Sequence, residues 1–314
     1  MKYLGFVAVA SLVLVLAAQA GATSIATESF NSYPLGDLNT QNGGTGWLSS
    51  WSSPTSAEVV ADTGGAMNPL QYQYDGLFIS GGGQALKVTG NSDNLAYRTL
   101  SASQSGDVWI SYLARWQSGS EGGYNSNKFL AFWFDNNVAT GNNHTTVPNI
   151  GLKTNYGASV PGGGDYEDFV VRLKDAAGAD WAGDVKPPEL SGGHFVVGHL
   201  YKTGTSTTYN AFEMWVDPSW VAPGPGDIGS LYSPGYVYAI DNTDSTTLSS
   251  FNMVGIRSAN LSGDVILIDE LRLGSTMNDV LFGGDPPDLA PEPLTMAGLG
   301  LGLVGLVRYV LRRR

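Results

Sequence analysis

The chain of 314 residues contains no cysteine, and charged residues make up only 14% of it. Without cysteine there is neither a disulfide framework nor a thiol nucleophile, so packing has to supply the stability of the fold. The 16 Lys and Arg residues are outnumbered by 28 Asp and Glu residues, which gives a formal net charge of −12. This acidic balance argues against a nucleic-acid partner and against adsorption to anionic membranes.

Motifs for familiar hydrolytic chemistry are also missing. The sequence has only three histidines and no Gly-x-Ser-x-Gly motif, so zinc and serine-hydrolase sites have no support. His194 and His199 are five residues apart on one predicted strand and therefore face opposite sides of it. The nearest acidic cluster, around Asp165 and Glu167, is predicted to be a solvated turn rather than a catalytic pair.

No stretch shows the period of a long amphipathic helix, whereas 42 glycines are typical of a chain rich in turns. Between the turns, apolar residues alternate with a period of two, as in β-strands. Residues 108–116 place Ile110, Tyr112 and Ala114 on one face, with Arg115 on the other. Residues 128–134 are apolar on both faces, which predicts a central strand covered on each side.

These patterns predict an all-β body made of two packed antiparallel sheets. Further strands are expected at 169–173, 194–202, 209–216, 251–256 and 265–273. The polar stretch 175–193 is predicted to be a surface loop.

Residues 1–20 resemble a secretory signal peptide. Lys2 supplies a positive charge, residues 4–18 are almost purely apolar, and Ala18 and Ala20 form a small-x-small cleavage site. Cleavage after Ala22 is the close alternative. The resemblance implies export through the Sec machinery.

The C-terminus has three parts in order, after a Gly- and Pro-rich linker at 283–290. Pro291, Glu292 and Pro293 come first, followed by the uncharged residues 294–307 and then by basic residues that end in Arg312, Arg313 and Arg314. As a helix, residues 294–307 would span about 21 Å. This is short of the roughly 30 Å hydrocarbon core of a bilayer. Terminal arginines hold such a segment on the cytoplasmic side.

This three-part order resembles the PEP-CTERM sorting signal of Gram-negative bacteria at residues 291–314. The resemblance implies a transmembrane helix that halts the exported protein transiently in the inner membrane, and an exosortase that recognises residues 291–293. An ordinary C-terminal tail anchor is the alternative. Release would then place the protein at the cell surface or in the extracellular matrix.

The body at residues 21–282 carries a second resemblance. The opening at 28–37 with 43–47, and the closing at 266–274, are similar to the first and last strands of laminin-G-like domains. The resemblance implies a concanavalin A-like jelly-roll sandwich.

One set of residues has the chemistry of a calcium or glycan site. Asp135, Asn137 and Asn143 follow a predicted strand and supply oxygen ligands of the kind that calcium binds. Similar residues bind metal in legume-type lectins, but Trp133 stands here where the family has a glutamate. A strand end followed by an Asx-rich turn is the favoured alternative.

Asp269 is a second candidate because it alternates with Val265, Leu267 and Leu271 on an apolar face. A buried carboxylate has to be hydrogen-bonded, paired or metal-bound. A structural hydrogen bond to a loop or a calcium ion is therefore expected. For Asp241 and Asp244, turn capping is favoured over calcium. Candidates for stacking on sugar rings are Trp47, Trp51, Trp181 and Trp220, with edge-of-core packing as the favoured alternative.

Together these features predict an exported, non-enzymatic protein that contributes adhesion or structure in exopolysaccharide or biofilm. Its expected partners are the exosortase, the Sec machinery and extracellular polysaccharide, with no nucleic acid. The alternative is a calcium-assisted carbohydrate-binding module. A polysaccharide hydrolase or lyase is disfavoured because no catalytic acid pair is found.

Overall fold

Strands form nearly all the regular structure, as the period-two pattern predicts. The computed structural model describes residues 24–53, 57–63, 69–74, 77–90, 92–118, 128–138, 146–153, 167–174, 180–185, 192–221, 230–232, 238–261 and 264–282. The predicted signal peptide with Ala18 and Ala20, the linker and the sorting signal lie outside these residues. Within the described part of the chain, no helix has the length and apolar character that crossing a membrane requires.

One layer is a nine-stranded antiparallel sheet. Its strands, numbered in chain order, are β1 (Ala26–Glu28), β2 (Gly36–Asp37), β3 (Ala57–Ala61), β6 (Gln84–Val88), β8 (Val108–Ser118), β13 (His194–Tyr201), β14 (Ala211–Val216), β17 (Tyr238–Asp241) and β19 (Val265–Gly274). The spatial order is β17-β14-β13-β8-β19-β6-β3-β2, and β1 pairs with the C-terminal part of β19.

The other layer is a six-stranded antiparallel sheet. It contains β7 (Ser92–Gln104), β9 (Phe129–Asp135), β10 (Asn149–Lys153), β11 (Glu167–Arg172), β12 (Asp180–Val185) and β18 (Phe251–Ala259). Their order is β12-β11-β10-β9-β18-β7. Two hairpins and a short helix complete the described elements: β4 (Gln71–Tyr74) with β5 (Leu77–Ser80), β15 (Ser219–Val221) with β16 (Ser230–Tyr232), and α1 (Met277–Phe282).

The main core lies between the two sheets and is built from the inward-facing residues of both. Ile110, Tyr112 and Ala114 of β8 belong to it, as the alternation predicts. On the opposite side, β9 contributes Phe132 and Phe134. All seven residues of β9 are buried, and the strand lies between β10 and β18, so the prediction of a central strand is confirmed. The structure is thus the two-sheet, jelly-roll-like sandwich that the sequence predicts.

The outer face of the nine-stranded sheet is partly covered by the β4–β5 hairpin and by α1. Apolar side chains of this cover pack on outward-facing residues of the sheet, among them Leu113, Phe195 and Val197. Ser111 donates a hydrogen bond of 2.9 Å to the carbonyl of Val280 in α1. The cover ends at Val197 on β13, so the next outward residue, His199, is only partly buried.

A buried ion pair fixes the N-terminal segment to the sandwich. Arg98 on β7 donates to Glu28 Oε2 at 2.7 Å, and both side chains are at most 1% exposed. Tyr33 and Trp51 donate to the same carboxylate oxygen at 2.5 and 3.1 Å. The guanidinium also reaches Ser49 O and Asn42 Oδ1. Each polar group has a partner, so this network stabilises the fold at a buried position.

The sequence predictions for two segments need correction. The stretch 175–193, predicted as a loop, contains β12, whose residues 181, 182 and 185 pair with β11. In β19 a register shift between Asp269 and Arg272 breaks the predicted alternation. Because of this bulge Leu271 packs in the core between the sheets, whereas Leu267 lies in the cluster on the outer side. Glu270, inside the bulge, has a positive φ of 50°.

Candidate functional site

Beyond Val197, the outer face of the nine-stranded sheet carries a group of aromatic and charged side chains, most of them partly buried. We call it the acidic shelf and define it as Trp109, His199, Tyr201, Glu213, Trp215 and Tyr238. Strand register brings these residues together: Trp109 pairs with His199, and His199 pairs with Glu213. Trp215 pairs with Tyr238 at the edge of the sheet. Directly opposite residues share a face, so the side chains form one surface.

The rings of the shelf stack on one another. The His199 ring is 4.1 Å from Trp109 and 4.3 Å from Tyr201, with interplanar angles of 8° and 14°. Trp215 is nearly parallel to Trp109 at 5.7 Å, and Tyr238 is tilted against Trp215 at 5.5 Å. Mutual packing of this kind fixes side chains that would otherwise be mobile at a surface. The shelf is therefore a surface of mutually packed rings.

Glu213 is held at the centre by hydroxyl donors. Tyr201 and Tyr238 donate to its Oε1 at 3.0 and 3.2 Å. Burial works against ionisation, but His199 and the two tyrosines outweigh it, so the pKa of Glu213 lies below its ordinary value. Burial, with the Glu213 hydrogen bond and charge added, raises the pKa of Tyr201 to about 12. At neutral pH the shelf thus presents a carboxylate and protonated hydroxyls.

His199 lies between two carboxylates. Its Nδ1 atom is 3.7 Å from Glu213 Oε2, and its Nε2 atom is 3.4 Å from Asp107 Oδ2. Asp107 is 57% exposed, so this end of the shelf opens to solvent. The nearby cation Lys202 donates instead to the carbonyls of Ser105 and Ser249. Two carboxylates outnumber this one ammonium group, so the local charge is negative.

The predicted oxygen cluster after β9 is only partly described. Asp135 ends the strand, and its Oδ1 accepts a hydrogen bond of 2.6 Å from the Asn136 backbone N–H. The bond joins adjacent residues, whereas an Asx-turn reaches the backbone two residues on, so the Asx-turn alternative also remains a prediction. Asn137 follows within the described residues, whereas Asn143 lies outside them. The calcium hypothesis for these three residues remains a prediction.

Asp269 is fully buried, and its predicted structural hydrogen bond is local. Its Oδ1 atom accepts a bond of 2.7 Å from the backbone N–H of Glu270 in the bulge. A Cβ at Gly81 would overlap with Oδ2, so the carboxyl group lies against the loop that follows β5. Burial, with the charges of Glu270, Asp62 and Glu28, raises its pKa to about 10. Its Oδ2 atom has no hydrogen-bond partner within the described chain, and no group of three acidic or histidine side chains suited to a metal occurs there. The calcium alternative for Asp269 remains a prediction.

The other predicted candidates have structural contacts. Asp241 is buried and accepts hydrogen bonds from the Leu173 and Thr243 backbones, which agrees with turn capping. Trp47 and Trp51 pack beside Arg98, with indole N–H groups bonded to Thr27 O and Glu28, so their core-edge alternative is confirmed. The side chains of Trp181, Trp220 and Glu167, and all of Asp165, lie outside the described part.

The two histidines on β13 face opposite sides, as their spacing predicts. His194 contacts Phe169 of the other sheet and bonds to Asp217 at 2.6 Å, whereas His199 is on the shelf. Sequence reasoning did not single out the shelf. The available signal was the outward face of three strands, where Trp109, Tyr201 and Trp215 are aromatic although outward positions are usually polar.

No protein-family model matches the chain, and no curated protein matches it. Solved structures of similar fold include the endo-beta-1,4-glucuronan lyase from the fungus Trichoderma reesei. It is 14% identical, with a TM-score of 0.39 over 80% of this chain and 97% of that one. The botulinum neurotoxin serotype G binding domain is 11% identical, with a TM-score of 0.46 over 83% and 50% of the two chains. The marine PL-14 alginate lyase from Aplysia kurodai is 9% identical, with a TM-score of 0.35 over 61% and 83%. At these identities the likeness concerns the fold alone.

Proposed function

We propose that this chain is an exported, non-enzymatic β-sandwich that binds a neutral or cationic glycan on the acidic shelf. The observation that carries the proposal is the combination of stacked rings and a central carboxylate on a partly exposed sheet face. Aromatic rings offer apolar surface to the C–H groups of a sugar, and a carboxylate accepts hydrogen bonds from its hydroxyls.

The negative charge of the shelf distinguishes between neutral, cationic and acidic glycans. Asp107 and Glu213 flank His199, and Lys202 is bonded to backbone carbonyls. A sugar bound on the shelf lies close to these two carboxylates, and their negative charge repels a uronate or a sulfate ester. The shelf therefore favours uncharged or amino sugars over acidic ones.

The same geometry supports binding rather than hydrolysis. An inverting glycosidase keeps its two carboxyl groups about 6.5–9.5 Å apart, with a water molecule between them. Here the imidazole of His199 fills the space between Asp107 and Glu213. A general acid also requires a raised pKa, whereas the pKa of Glu213 is lowered.

The terminal segments supply the route in this proposal. The signal peptide would export the chain, and the sorting signal at 291–314 would present it to an exosortase, for release to the cell surface or the polysaccharide matrix. Replacing Glu292 by Ala in cells that contain an exosortase should leave an uncut, membrane-held form. Normal release of that variant would contradict this part of the proposal.

A glycan array tests the binding part. The purified exported protein should bind neutral or amino-sugar glycans, and Trp215→Ala should lower the affinity roughly tenfold, as expected for a lost ring contact of about 1.5 kcal/mol. Phe78→Ser is the matched control, because Phe78 is 61% exposed on the β4–β5 hairpin and outside the shelf. A second array with a chelator tests the calcium alternative.

Two results would overturn the proposal. One is an array on which the exported protein binds no neutral or cationic glycan at all. The other is an equal loss of affinity in the Trp215 and Phe78 variants, which would locate binding outside the shelf.

A further inference from the structure

Three arginines are buried in the described chain, and two of them have carboxylate partners. Arg98, Arg115 and Arg172 are 0%, 4% and 2% exposed. Arg98 pairs with Glu28 and Arg115 with Asp62, each at 2.7 Å. A buried guanidinium needs such a partner because an uncompensated charge is costly to desolvate.

Arg172 differs from the other two. None of the ion pairs between described residues includes it, and its Nε atom has no hydrogen-bond partner among them. Asp241 acts on it electrostatically, but that carboxylate already accepts hydrogen bonds from the Leu173 and Thr243 backbones. A buried donor without a partner indicates that a water molecule or an anion belongs there.

A second buried donor without a partner lies on the same sheet face but points away from Arg172. Strand register aligns Trp133 of β9, Asn149 of β10 and Arg172 of β11 on the outer face of the six-stranded sheet. The Trp133 side chain is 1% exposed, and its indole N–H has no hydrogen-bond partner within the described chain. The Trp133 ring lies over Gly255 of β18, on the side of β9 away from Arg172, so the two donors do not share one site.

Other cations gather on the same face. Lys153 is four residues from Asn149 on β10 and therefore points to the same side. Burial, and next the charge of Arg172, lower the pKa of Lys153. Arg257 of β18 pairs with Ala131, two residues from Trp133, and also faces outward. This gathering of positive charge stands out in a chain whose net charge is −12.

We propose that the outer face of the six-stranded sheet is a binding site for an oxyanion, a carboxylate or sulfate group, with Arg172 as its main partner. Lys153, on the neighbouring strand β10, adds positive charge on the same face. A planar guanidinium forms two parallel hydrogen bonds with such a group. The site lies on the opposite side of the sandwich from the acidic shelf and takes the ligand class that the shelf repels.

Titration calorimetry with three probes tests the site. Tetragalacturonate should bind the exported protein, its methyl ester should not, and inorganic sulfate should compete if a free anion suffices. Arg172→Gln should lower the affinity for tetragalacturonate at least tenfold, because a charge-assisted hydrogen bond is lost. Lys153→Gln should lower it by a smaller factor. Lys87→Gln is the control, since Lys87 pairs with Glu58 on the other sheet.

The proposal falls if tetragalacturonate and sulfate both fail to bind at millimolar concentration. Equal binding of the methyl ester, or unchanged affinity in a folded Arg172 variant, would also overturn it. Should Arg172→Gln not fold, unchanged affinity in Lys153→Gln would count against the site in the same way. Trp215→Ala should leave tetragalacturonate binding unaltered, so failure here is distinct from failure of the glycan proposal.

Discussion

The two outer faces of this sandwich carry charge of opposite sign. On the nine-stranded sheet, Asp107 and Glu213 surround the single imidazole of His199. On the six-stranded sheet, Arg172 and Lys153 lie near enough for the charge of one to lower the pKa of the other. One chain with one net charge thus presents two surfaces with groups of opposite charge.

The faces also differ in how their central charge is satisfied. Glu213 accepts hydrogen bonds from Tyr201 and Tyr238, so its carboxylate is stable without a ligand. The guanidinium of Arg172 has an Nε atom with no partner within the described chain. A satisfied group contributes shape and specificity, whereas an unsatisfied buried charge gains most when a ligand arrives.

The largest expected effect separates a structural arginine from a binding one. Arg98→Met leaves Glu28 buried without its cation, so we expect the free energy of unfolding to fall by about 3–5 kcal/mol. Arg172→Met removes a poorly compensated buried charge, so stability should stay unchanged or rise. Urea unfolding followed by tryptophan fluorescence measures both. A loss in Arg172→Met as large as in Arg98→Met would show that Arg172 has a structural partner, and the contrast between the faces would disappear.

A second expected effect concerns the covered part of the nine-stranded sheet, where Asp269 lies. Its folded pKa of about 10 is above the ordinary value of about 3.9. The unfolded chain therefore releases this proton first, and stability should decline as the pH rises from about 4 to about 10. Asp269→Asn should remove that dependence and raise stability at pH 7 by up to about 4 kcal/mol, or three pKa units. Unfolding curves at pH 5, 7 and 9 measure it; a variant with the same pH dependence as the parent would refute the raised pKa.

The fold was predictable because each strand carries its own evidence. The alternation in β8 and the all-apolar run of β9 depend only on neighbouring residues, and both patterns are confirmed. β12 escaped prediction because its residues Asp180 and Gly183 are poor strand formers, and pairing with β11 overrides that propensity. The bulge at Glu270 could not be predicted from the sequence, because an extra residue in a strand does not change the residue types from which a strand is predicted.

The candidate sites were harder because their residues meet through strand register. Trp109 and Glu213 lie far apart in the sequence and become neighbours only because β13 pairs with both β8 and β14. In the sequence, Arg172 looks like an ordinary cation at the end of a strand. Only the structure shows that its side chain is buried and that the other buried arginines have carboxylate partners. Asp135 and Asp269 could be selected from the sequence because a carboxylate is a possible metal ligand wherever it occurs. The acidic shelf could not, because it depends on which residues become neighbours in the folded sheet.

The smallest expected effect tests whether Glu213 is the charged centre of the shelf. Because its folded pKa is lowered, the stability that it contributes is present above its ordinary pKa of about 4.3 and is lost as the pH falls through the folded value. Glycan affinity should therefore stay level from about pH 5 to 9. Glu213→Gln keeps the shape, and it should lower affinity about tenfold at pH 7 by removing the charge-assisted hydrogen bonds to sugar hydroxyls.

Fluorescence titration at pH 5, 7 and 9 measures both proteins, with Glu58→Gln as the control, since Glu58 pairs with Lys87 at the far side of the same sheet. The Glu213 variant should also lose the preference for neutral over acidic sugars, because less repulsion remains on the shelf. If the shelf still rejects tetragalacturonate when Glu213→Gln is combined with Arg172→Gln, which removes the second site, Asp107 rather than Glu213 sets the charge selection. The opposite charge of the two faces would then depend on Asp107, at the exposed end of the shelf.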